Sequence, residues 1–195
     1  MKYLELSPLR NRLYFSTQDV AEILEIKPSS AKVFCSRYVE KGLFVRLKKD
    51  FYIFKEKWLH LSYQDYYKIA NILQVPSYIS LMTALLFYEV TTQVQRGFLE
   101  SVCIRKTVRY NIEGINFNFY KLQKNLYFDF VKEDDFFIAT KEKAFLDVVY
   151  LSSLRRYAFD LDSIDISKLD MRKVKKLLEH FPERTKRSVK KICRI

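Results

Sequence analysis

The stretch KPSSAKVFCSRYVEKGLFVRLKKDFYIF, residues 27–54, constrains the fold of this chain more than any other part of its sequence. Pro28 has the fixed φ that suits the first position of a helix, and Gly42 can take the left-handed conformation that ends one. Between these two residues, apolar side chains recur at helical spacing. Beyond Gly42, two short apolar runs flank a polar turn at residues 48–50, which predicts a β-hairpin.

A shorter helix is predicted directly before this stretch. Ser16 and Thr17 precede the run QDVAEIL, whose apolar residues share one face of a helix, and Asp19 lies where a negative charge favours a helix start. Pro28 allows only a tight turn between the two helices. Two helices joined by a tight turn and followed by a basic hairpin predict a winged helix-turn-helix, a fold that binds DNA.

The predicted second helix, residues 28–41, has two unlike sides. Ala31, Phe34, Cys35 and Tyr38 fall together on a helical wheel and predict the buried side. The opposite side carries hydroxyl and basic residues, which can approach base edges or reach phosphates. Taken alone, such a helix is more typical of a solvated surface, and its neighbours in the sequence favour DNA binding. The predicted DNA-binding residues are Ser29, Lys32, Ser36 and Arg37 on the helix and Arg46, Lys48 and Lys49 on the hairpin.

Positive charge is concentrated in two regions of the chain. The formal net charge is +12, which predicts attraction to polyanions such as nucleic acid. Residues 27–58 hold nine Lys and Arg against three acidic residues, and residues 171–195 hold ten against two. We interpret the C-terminal region as a second basic surface for nucleic acid or an acidic partner, with a merely solubilising face as the alternative. Its predicted residues are Arg172, Lys175, Lys176, Arg184, Lys186, Arg187, Lys190 and Lys191.

The remainder of the chain mixes helices with β-rich runs. Ser62 can cap a helix through YQDYYKIANIL, and residues 78–90 are almost entirely apolar, which predicts a buried helix with Ser77 as its cap. The strongest hairpin signal is the alternation of apolar and polar residues on both sides of Glu113-Gly114. Three further helices are predicted to begin at Thr140, Asp170 and Pro182.

We therefore predict an α+β fold with two domains. Residues 1–60 are predicted to form the winged helix-turn-helix DNA-binding domain, because the helix-plus-hairpin pattern is complete there. Residues 61–195 are predicted to combine helices with an antiparallel sheet and to end in basic helices.

The sequence offers little for catalysis, and no catalytic residue, metal ligand or cofactor is predicted. His60 and His180 are the only histidines and have no metal-binding spacing, and three glycines leave no Gly-rich phosphate loop. Acidic clusters at residues 133–135 and at Asp160, Asp162 and Asp165 are better explained as solvated loops than as a divalent-ion site. Three widely spaced cysteines suggest free thiols.

Membrane insertion is not expected either. The N-terminal residues contain no uninterrupted apolar segment, and no window approaches the roughly 18 apolar residues of a membrane span. A cytoplasmic location is the expectation that follows.

Two segments of the chain resemble the AbiEi antitoxins, which are regulators encoded beside nucleotidyltransferase toxins. The segments are PSYISLMTALLFYEVTTQVQ at residues 76–95 and ATKEKAFLDVVY at residues 139–150. The order of a winged helix-turn-helix and then an antitoxin domain is similar over nearly the whole chain. The matching positions are Pro76, Ser77, Tyr78, Ser80, Ala84, Leu85, Thr92, Gln93, Ala139, Glu142, Lys143, Ala144, Asp147 and Tyr150.

The resemblance implies a function and two partners. Members of the family repress their own two-gene operon by binding inverted repeats in double-stranded DNA, and they counteract the nucleotidyltransferase toxin, in several systems without a stable complex. The C-terminal domain is the part needed for neutralisation. For the matched residues themselves, a scaffold role is favoured, with Lys143 and Asp147 as a pair one helical turn apart.

We predict from these observations a non-enzymatic transcriptional autoregulator and antitoxin. Two alternatives stay open at this point. One is a nucleic-acid-binding enzyme or RNA-binding accessory protein that uses the acidic clusters and the basic C-terminus. The other is a one-component transcription regulator whose aromatic C-terminal domain senses a small ligand.

Overall fold

Helices and strands alternate irregularly over residues 2–194, the part of the chain that the computed structural model describes, and the fold is of the α+β class. The structure separates into two units between Ile69 and Ala70, which we call the N-terminal and the C-terminal unit. The boundary predicted near His60 lies in the loop before the helix that contains this division. No helix within residues 2–194 has the length and apolar character needed to cross a membrane.

The N-terminal unit consists of short helices around a three-stranded antiparallel sheet of order β1-β3-β2. Its elements are α1 (Lys2–Glu5), a 3-10 turn (Ser7–Leu9), β1 (Phe15–Ser16), α2 (Thr17–Ile23), α3 (Pro28–Glu40), β2 (Phe44–Lys48), β3 (Phe51–Phe54) and α4 (Lys55–Trp58). The predicted helix, helix and hairpin are confirmed with nearly these bounds. Strand β1 was not predicted, because two residues carry no periodic signal.

Local interactions explain where α2 and α3 begin and end. The Ser16 hydroxyl accepts a hydrogen bond from the backbone of Asp19, and the Asp19 carboxylate accepts one from the backbone of Ser16, which is a capping box. Pro28 occupies the first position of α3. Gly42 has φ +69°, and there the Leu43 N–H bonds back to the Tyr38 carbonyl at 2.9 Å, which closes the helix.

Aromatic rings fill the core of the N-terminal unit. Phe15 from β1, Phe44 from β2 and Phe54 from β3 are almost completely buried, and each pair of their ring centroids lies 5.0–5.3 Å apart. Ala31 and Cys35 bring α3 onto this cluster. Burial of these side chains fixes which face of α3 remains outside.

Helix α5 (Tyr63–Leu73) follows, with Ser62 and Asp65 forming a second capping box at its start. The C-terminal unit then contains a six-stranded sheet of order β6-β7-β5-β4-β9-β8. Its strands are β4 (Ser77–Ile79), β5 (Phe98–Cys103), β6 (Val108–Ile112), β7 (Ile115–Lys121), β8 (Phe130–Glu133) and β9 (Phe136–Ala139). Its helices are α6 (Leu81–Phe87), α7 (Lys141–Ser153), α8 (Met171–Leu178) and α9 (Glu183–Cys193), with 3-10 turns at Lys124–Leu126, Leu161–Ser163 and Ile166–Lys168.

The antiparallel sheet expected for this unit is a mixed sheet instead. β5 pairs with β7 and β4 pairs with β9 in parallel, while the remaining pairs are antiparallel. The β6–β7 hairpin is confirmed, with Ile112 opposite Ile115. The chain passes from β5 to β6 at the edge of the sheet and returns in β7, which lies between them and runs parallel to β5. Sequence periodicity does not indicate which strand of the hairpin pairs with β5.

The buried helix predicted for residues 78–90 is also partly wrong. Residues 77–79 form β4 at the centre of the sheet, and only residues 81–87 are helical. A central strand buried on both faces is as apolar as a buried helix, so β4 and α6 form one continuous apolar segment in the sequence. Ser77, predicted as a helix cap, lies in the strand, and its hydroxyl is buried without a hydrogen-bond partner among the described residues.

Helix α7 is the central helix of the C-terminal unit. Thr140 caps its start as predicted, and ten consecutive side chains, from Glu142 to Leu151, are buried. Helices α6, α8 and α9 pack against it. The Asp170 carboxylate accepts hydrogen bonds from the first backbone N–H groups of α8, also as predicted. α8 and α9 therefore keep their apolar sides on α7 and their basic sides outside.

Candidate nucleic-acid interface

The outer face of α3 carries the four helix residues predicted to contact DNA. Ser29, Lys32, Ser36 and Arg37 are all exposed, while Ala31 and Cys35 on the opposite side are completely buried. Val33 lies within the exposed face and keeps 52% of its surface in solvent. Apolar side chains at such positions contact the thymine methyl group in major-groove recognition. The face thus combines hydroxyl, basic and apolar groups on one rigid helix.

Two charged residues on α3 differ in their surroundings. The Lys32 ammonium lies 3.8 Å from the Asp50 carboxylate, and both side chains are well exposed, so this ion pair contributes little and exchanges easily. Arg37 has no ion-pair partner among residues 2–194. It lines an open groove of about 650 Å³ together with Val33, Phe34 and Lys41.

The β2–β3 hairpin holds the three remaining predicted residues. Arg46 and Lys49 are exposed, and Lys48 is half-buried with its ammonium 4.7 Å from the centre of the Phe51 ring. Burial lowers the pKa of the Lys48 ammonium. The strand register shifts between Arg46 and Lys48, so the pairing of β2 with β3 is irregular next to the hairpin tip.

The eight residues of the predicted second basic surface fall into three groups. Lys175, Lys186 and Lys190 line a small groove of about 240 Å³ between α8 and α9. Arg184 and Lys191 line a different groove on α9, of about 620 Å³. Arg172, Lys176 and Arg187 are exposed but line neither groove. The two grooves therefore bring together only subsets of these eight residues.

One face of the six-stranded sheet carries polar side chains that were not predicted to lie together. Glu100 on β5 is opposite Asn118 on β7, which is opposite Arg109 on β6, so three polar side chains form a row across three strands. The Arg109 Nε–H donates to the Asn118 Oδ1 at 2.8 Å. The alternation of Arg109 and Asn111 with apolar neighbours indicated one polar face, but the parallel pairing that adds Glu100 was not predicted.

A cavity of about 910 Å³ lies over this polar face. Gln95 and Tyr157 both lie at it, and each donates a hydrogen bond to the Glu100 Oε2, at 2.9 Å and 2.8 Å. Burial raises the pKa of the Glu100 carboxyl, and the hydrogen bonds from Gln95 and Tyr157 partly oppose this rise. We call this space the sheet cavity.

Four residues from the segments 76–95 and 139–150 form one buried cluster. Lys143 and Asp147 on α7 form an ion pair, and the Tyr78 and Ser80 hydroxyls donate to the Asp147 Oδ2 at 3.1 Å and 2.9 Å. The Lys143 ammonium donates to the Tyr78 hydroxyl oxygen at 2.9 Å. Lys143 and Asp147 have no solvent exposure, so this cluster connects α7 to the central strand and does not offer a binding surface.

Two carboxylates of the second predicted acidic cluster cap turns. The Asp160 and Asp165 carboxylates accept hydrogen bonds from the backbone N–H groups of Asp162 and Ser167, each at 3.1 Å. Among the described residues, no group of three His, Cys, Asp or Glu side chains is arranged to hold a metal ion. Cys35 and Cys103 are buried free thiols, and Cys193 is a half-buried one.

The comparisons with known proteins support the fold. No family model and no curated protein matches this chain. Among solved structures, the chain is similar to the RV2827C protein from Mycobacterium tuberculosis, with a TM-score of 0.63 and 9% sequence identity. The similarity covers 96% of this chain and 74% of that one. At this level of identity the two proteins share a fold, and function has to be argued from the residues themselves.

Proposed function

We propose that the protein is a DNA-binding transcriptional regulator whose N-terminal unit is a winged helix-turn-helix. In this proposal α2 and α3 are the two helices of the motif, α3 enters the major groove, and the β2–β3 hairpin is the wing. The single observation that carries the proposal is the outer face of α3, where hydroxyl, basic and apolar side chains lie together opposite a fully buried side. A basic hairpin follows directly, as this mode of binding requires.

The residues of α3 have separate roles in this proposal. Ser29 and Ser36 are short enough to let the helix approach base edges, and their hydroxyls can donate or accept hydrogen bonds there. Arg37 can donate two parallel hydrogen bonds to guanine, since no carboxylate engages it in the described part of the chain. Lys32 can exchange its weak pairing with Asp50 for a phosphate.

The hairpin supplies binding energy without sequence preference. Arg46 and Lys49 are exposed cations at the tip and side of the wing, where they can contact phosphates or the minor groove. Lys48 is partly covered by the Phe51 ring, so we assign it a smaller share of the binding free energy than Arg46 and Lys49. Phosphate contacts of this type position the helix on the duplex.

We further propose that the protein is an antitoxin that counteracts a nucleotidyltransferase toxin. This part rests on the resemblance to the AbiEi family. It is supported by the fact that Tyr78, Ser80, Lys143 and Asp147, which come from both resembling segments, contact one another in the structure. Residues that build one scaffold together are expected to recur together.

Binding to the DNA upstream of its own gene tests the regulator proposal. In a gel-shift assay, the Lys32→Ala/Arg37→Ala variant should bind at least about 30-fold more weakly than the unsubstituted protein, since each good base contact contributes about 1–3 kcal/mol. The Lys106→Ala/Lys124→Ala variant loses the same charge from exposed positions of the C-terminal unit and should bind normally. Equal affinity of the α3 variant and the unsubstituted protein would refute the assignment of α3.

A growth assay tests the antitoxin proposal separately. The protein is produced together with the nucleotidyltransferase encoded beside its gene, a neighbour that the proposal requires. Both the unsubstituted protein and the Lys32→Ala/Arg37→Ala variant should restore growth, because neutralisation is assigned to the C-terminal unit. Growth arrest that neither protein relieves would refute the antitoxin role and leave the DNA-binding role unaffected.

A further inference from the structure

The sheet cavity has a floor of amide groups in fixed positions. Asn118 accepts the hydrogen bond from Arg109, and two residues along the strands the Asn111 Nδ2 donates to the Asn116 Oδ1 at 3.0 Å. Asn116 and Asn118 both line the cavity. Pre-positioned amides of this kind match the donors and acceptors on the edges of nucleobases.

Glu100 positions two further groups at the same cavity. Its carboxylate is almost completely buried and accepts hydrogen bonds from Gln95 and Tyr157. The Gln95 side-chain oxygen is engaged in turn by the Thr83 hydroxyl. Glu100 therefore acts through its neighbours: it orients an amide and an aromatic ring at the cavity, and its own charge is shielded by their hydrogen bonds.

Half-buried aromatic rings surround this amide floor. Phe98, Tyr120, Tyr157 and Phe159 each line the sheet cavity and each keep part of their surface in solvent. The Tyr120 and Tyr157 rings meet edge to face with centroids 5.4 Å apart. Exposed ring faces beside fixed amides are the means by which proteins stack and read unpaired bases.

Cations complete the cavity. Arg109 and Arg156 both line it, and neither residue forms an ion pair with a carboxylate in the described part of the chain. Arginine side chains in this state are available for phosphate.

The groove on α9 adds further cations to the two arginines of the cavity, whose lining also holds Glu100 and Asp160. Phe159 lines both spaces, so the segment after α7 contributes to the cavity and to the groove. We call this second space the arginine groove. Its four cations are Arg155, Arg184, Lys191 and Arg194, and it has no acidic residue in its lining.

We propose that the sheet cavity and the arginine groove together bind an unpaired polynucleotide strand, an activity that goes beyond the duplex-DNA function proposed for the N-terminal unit. Bases stack on the rings and hydrogen-bond to the amides in the cavity, and the phosphates continue into the groove. A paired duplex hides its base faces and edges from such a cavity. A small anion would use only one of the two spaces.

The test uses fluorescence anisotropy with a labelled oligouridylate of about 12 nucleotides at low salt, in the Lys32→Ala/Arg37→Ala background. Arg109→Gln/Arg156→Gln and Arg184→Gln/Lys191→Gln should each weaken binding at least about tenfold. Each pair should also reduce the slope of log affinity against log salt by about 1.4, since single strands contribute about 0.7 per phosphate contact. Phe159→Ala should weaken binding by a similar factor, and Phe159→Tyr should restore it, because a stacked base requires the ring.

A matched control distinguishes binding at the cavity and groove from attraction to the net positive charge of the protein. Lys106→Gln/Lys124→Gln removes two exposed cations of the C-terminal unit that line neither space, and it should change the affinity less than twofold. The deoxyribose form of the same oligonucleotide identifies the source: equal affinity assigns recognition to base and phosphate, and a preference for RNA adds a 2′-hydroxyl contact. Either result supports the proposal.

Three outcomes would overturn this proposal. The first is the absence of binding at low salt. The second is an equal loss of affinity in the control variant and in the cavity and groove variants. The third is competition by polyglutamate as effective as that of an unlabelled oligonucleotide of the same charge. A failure here leaves binding of duplex DNA by α3 unaffected, because that activity is measured with different variants and a different probe.

Discussion

Lys143 and Asp147 form an ion pair one turn apart on α7, and both side chains are completely buried. The ammonium also lies 5.3–5.5 Å from the ring centres of Phe128, Phe181 and Tyr78. Burial lowers the pKa of Lys143 and raises that of Asp147, while the partner's charge opposes each change. The charges are thus retained inside the unit because they compensate each other and because Tyr78 and Ser80 also donate hydrogen bonds to Asp147.

Replacement of one partner alone should therefore destabilise the protein strongly. Lys143→Met leaves an uncompensated buried carboxylate and should lower the free energy of unfolding by about 3–5 kcal/mol. The double variant Lys143→Met/Asp147→Leu removes both charges and should recover part of this loss. Urea unfolding followed by circular dichroism measures both values. A double variant less stable than Lys143→Met would show that the charges themselves are not what couples the two positions.

Glu100 predicts a specific pH dependence. Because burial raises the pKa of its carboxyl in the folded state, the folded protein holds this proton to higher pH than the unfolded chain does. This contribution to stability is present below the unfolded pKa and decreases as the pH rises through the folded pKa. Glu100→Gln should remove that decrease, as measured by urea unfolding at a series of pH values. A profile identical to that of the unsubstituted protein would contradict the shift.

Glu100→Leu should behave differently from Glu100→Gln. The amide can still accept hydrogen bonds from Gln95 and Tyr157, whereas leucine leaves both donors without an acceptor. The expected cost of the leucine variant is about 1–3 kcal/mol more than that of the glutamine variant. Equal stability of the two would indicate that Tyr157 is not held through this carboxylate.

Asp19 predicts the opposite pH dependence in the N-terminal unit. Burial alone would raise the pKa of its carboxyl, but hydrogen bonds from Ser16 and Arg12 outweigh that effect and lower it. Its contribution to stability is therefore present above the unfolded pKa and is lost as the pH falls through the folded pKa. Asp19→Ala should lower the free energy of unfolding by about 0.5–2 kcal/mol near neutral pH. It should also reduce the loss of stability that occurs as the pH falls.

Trp58 provides the signal for this measurement, because it is the only tryptophan and lies at the end of α4. Glu22→Gln, on the exposed side of the same helix α2, is the control and should retain both the stability and the pH profile. An equal effect of both substitutions would assign the change to helix charge instead of the capping box.

Salt dependence separates positioning contacts from base contacts on DNA. If about five phosphates are neutralised, log affinity should fall with log salt at a slope of about −4 to −5. Lys49→Ala should reduce the magnitude of the slope by about 0.9 and weaken binding equally on all sequences. Arg37→Ala should instead reduce the preference for the operator over unrelated duplex. Filter binding at several salt concentrations measures both effects, and a salt-independent affinity would exclude this interface.

Helix termini were the most predictable part of this fold. Ser62, Thr140 and Asp170 cap their helices as predicted, because capping depends on residues within one turn, whereas the cap predicted at Ser77 lies in a strand. Strand pairing was less predictable. The parallel placement of β7 beside β5 depends on packing between segments distant in sequence, and so does the position of β4.

The candidate sites also divide into one formed by local sequence and others formed by segments distant in sequence. The exposed face of α3 is visible from periodicity, since a helix repeats its faces every turn. The sheet cavity is not visible from periodicity, because Tyr157 and Phe159 come from a loop after α7 and line the cavity together with Glu100 and Asn118 on the strands. Charge counting identified the basic C-terminal residues, but the packing of α8 and α9 against α7 determines which of them share a groove.

The order of the strands also determines when each unit can form during synthesis. All three strands of the first sheet lie within residues 15–54, so this sheet is complete before the C-terminal unit has been translated. In the second sheet, β4 at residues 77–79 pairs with β9 at residues 136–139, and this central pairing has to wait for the later strand to leave the ribosome. Domains generally fold in the order of synthesis, and non-local pairing is slow. A nascent chain would therefore acquire its proposed DNA-binding unit first, while the proposed strand-binding site is still incomplete.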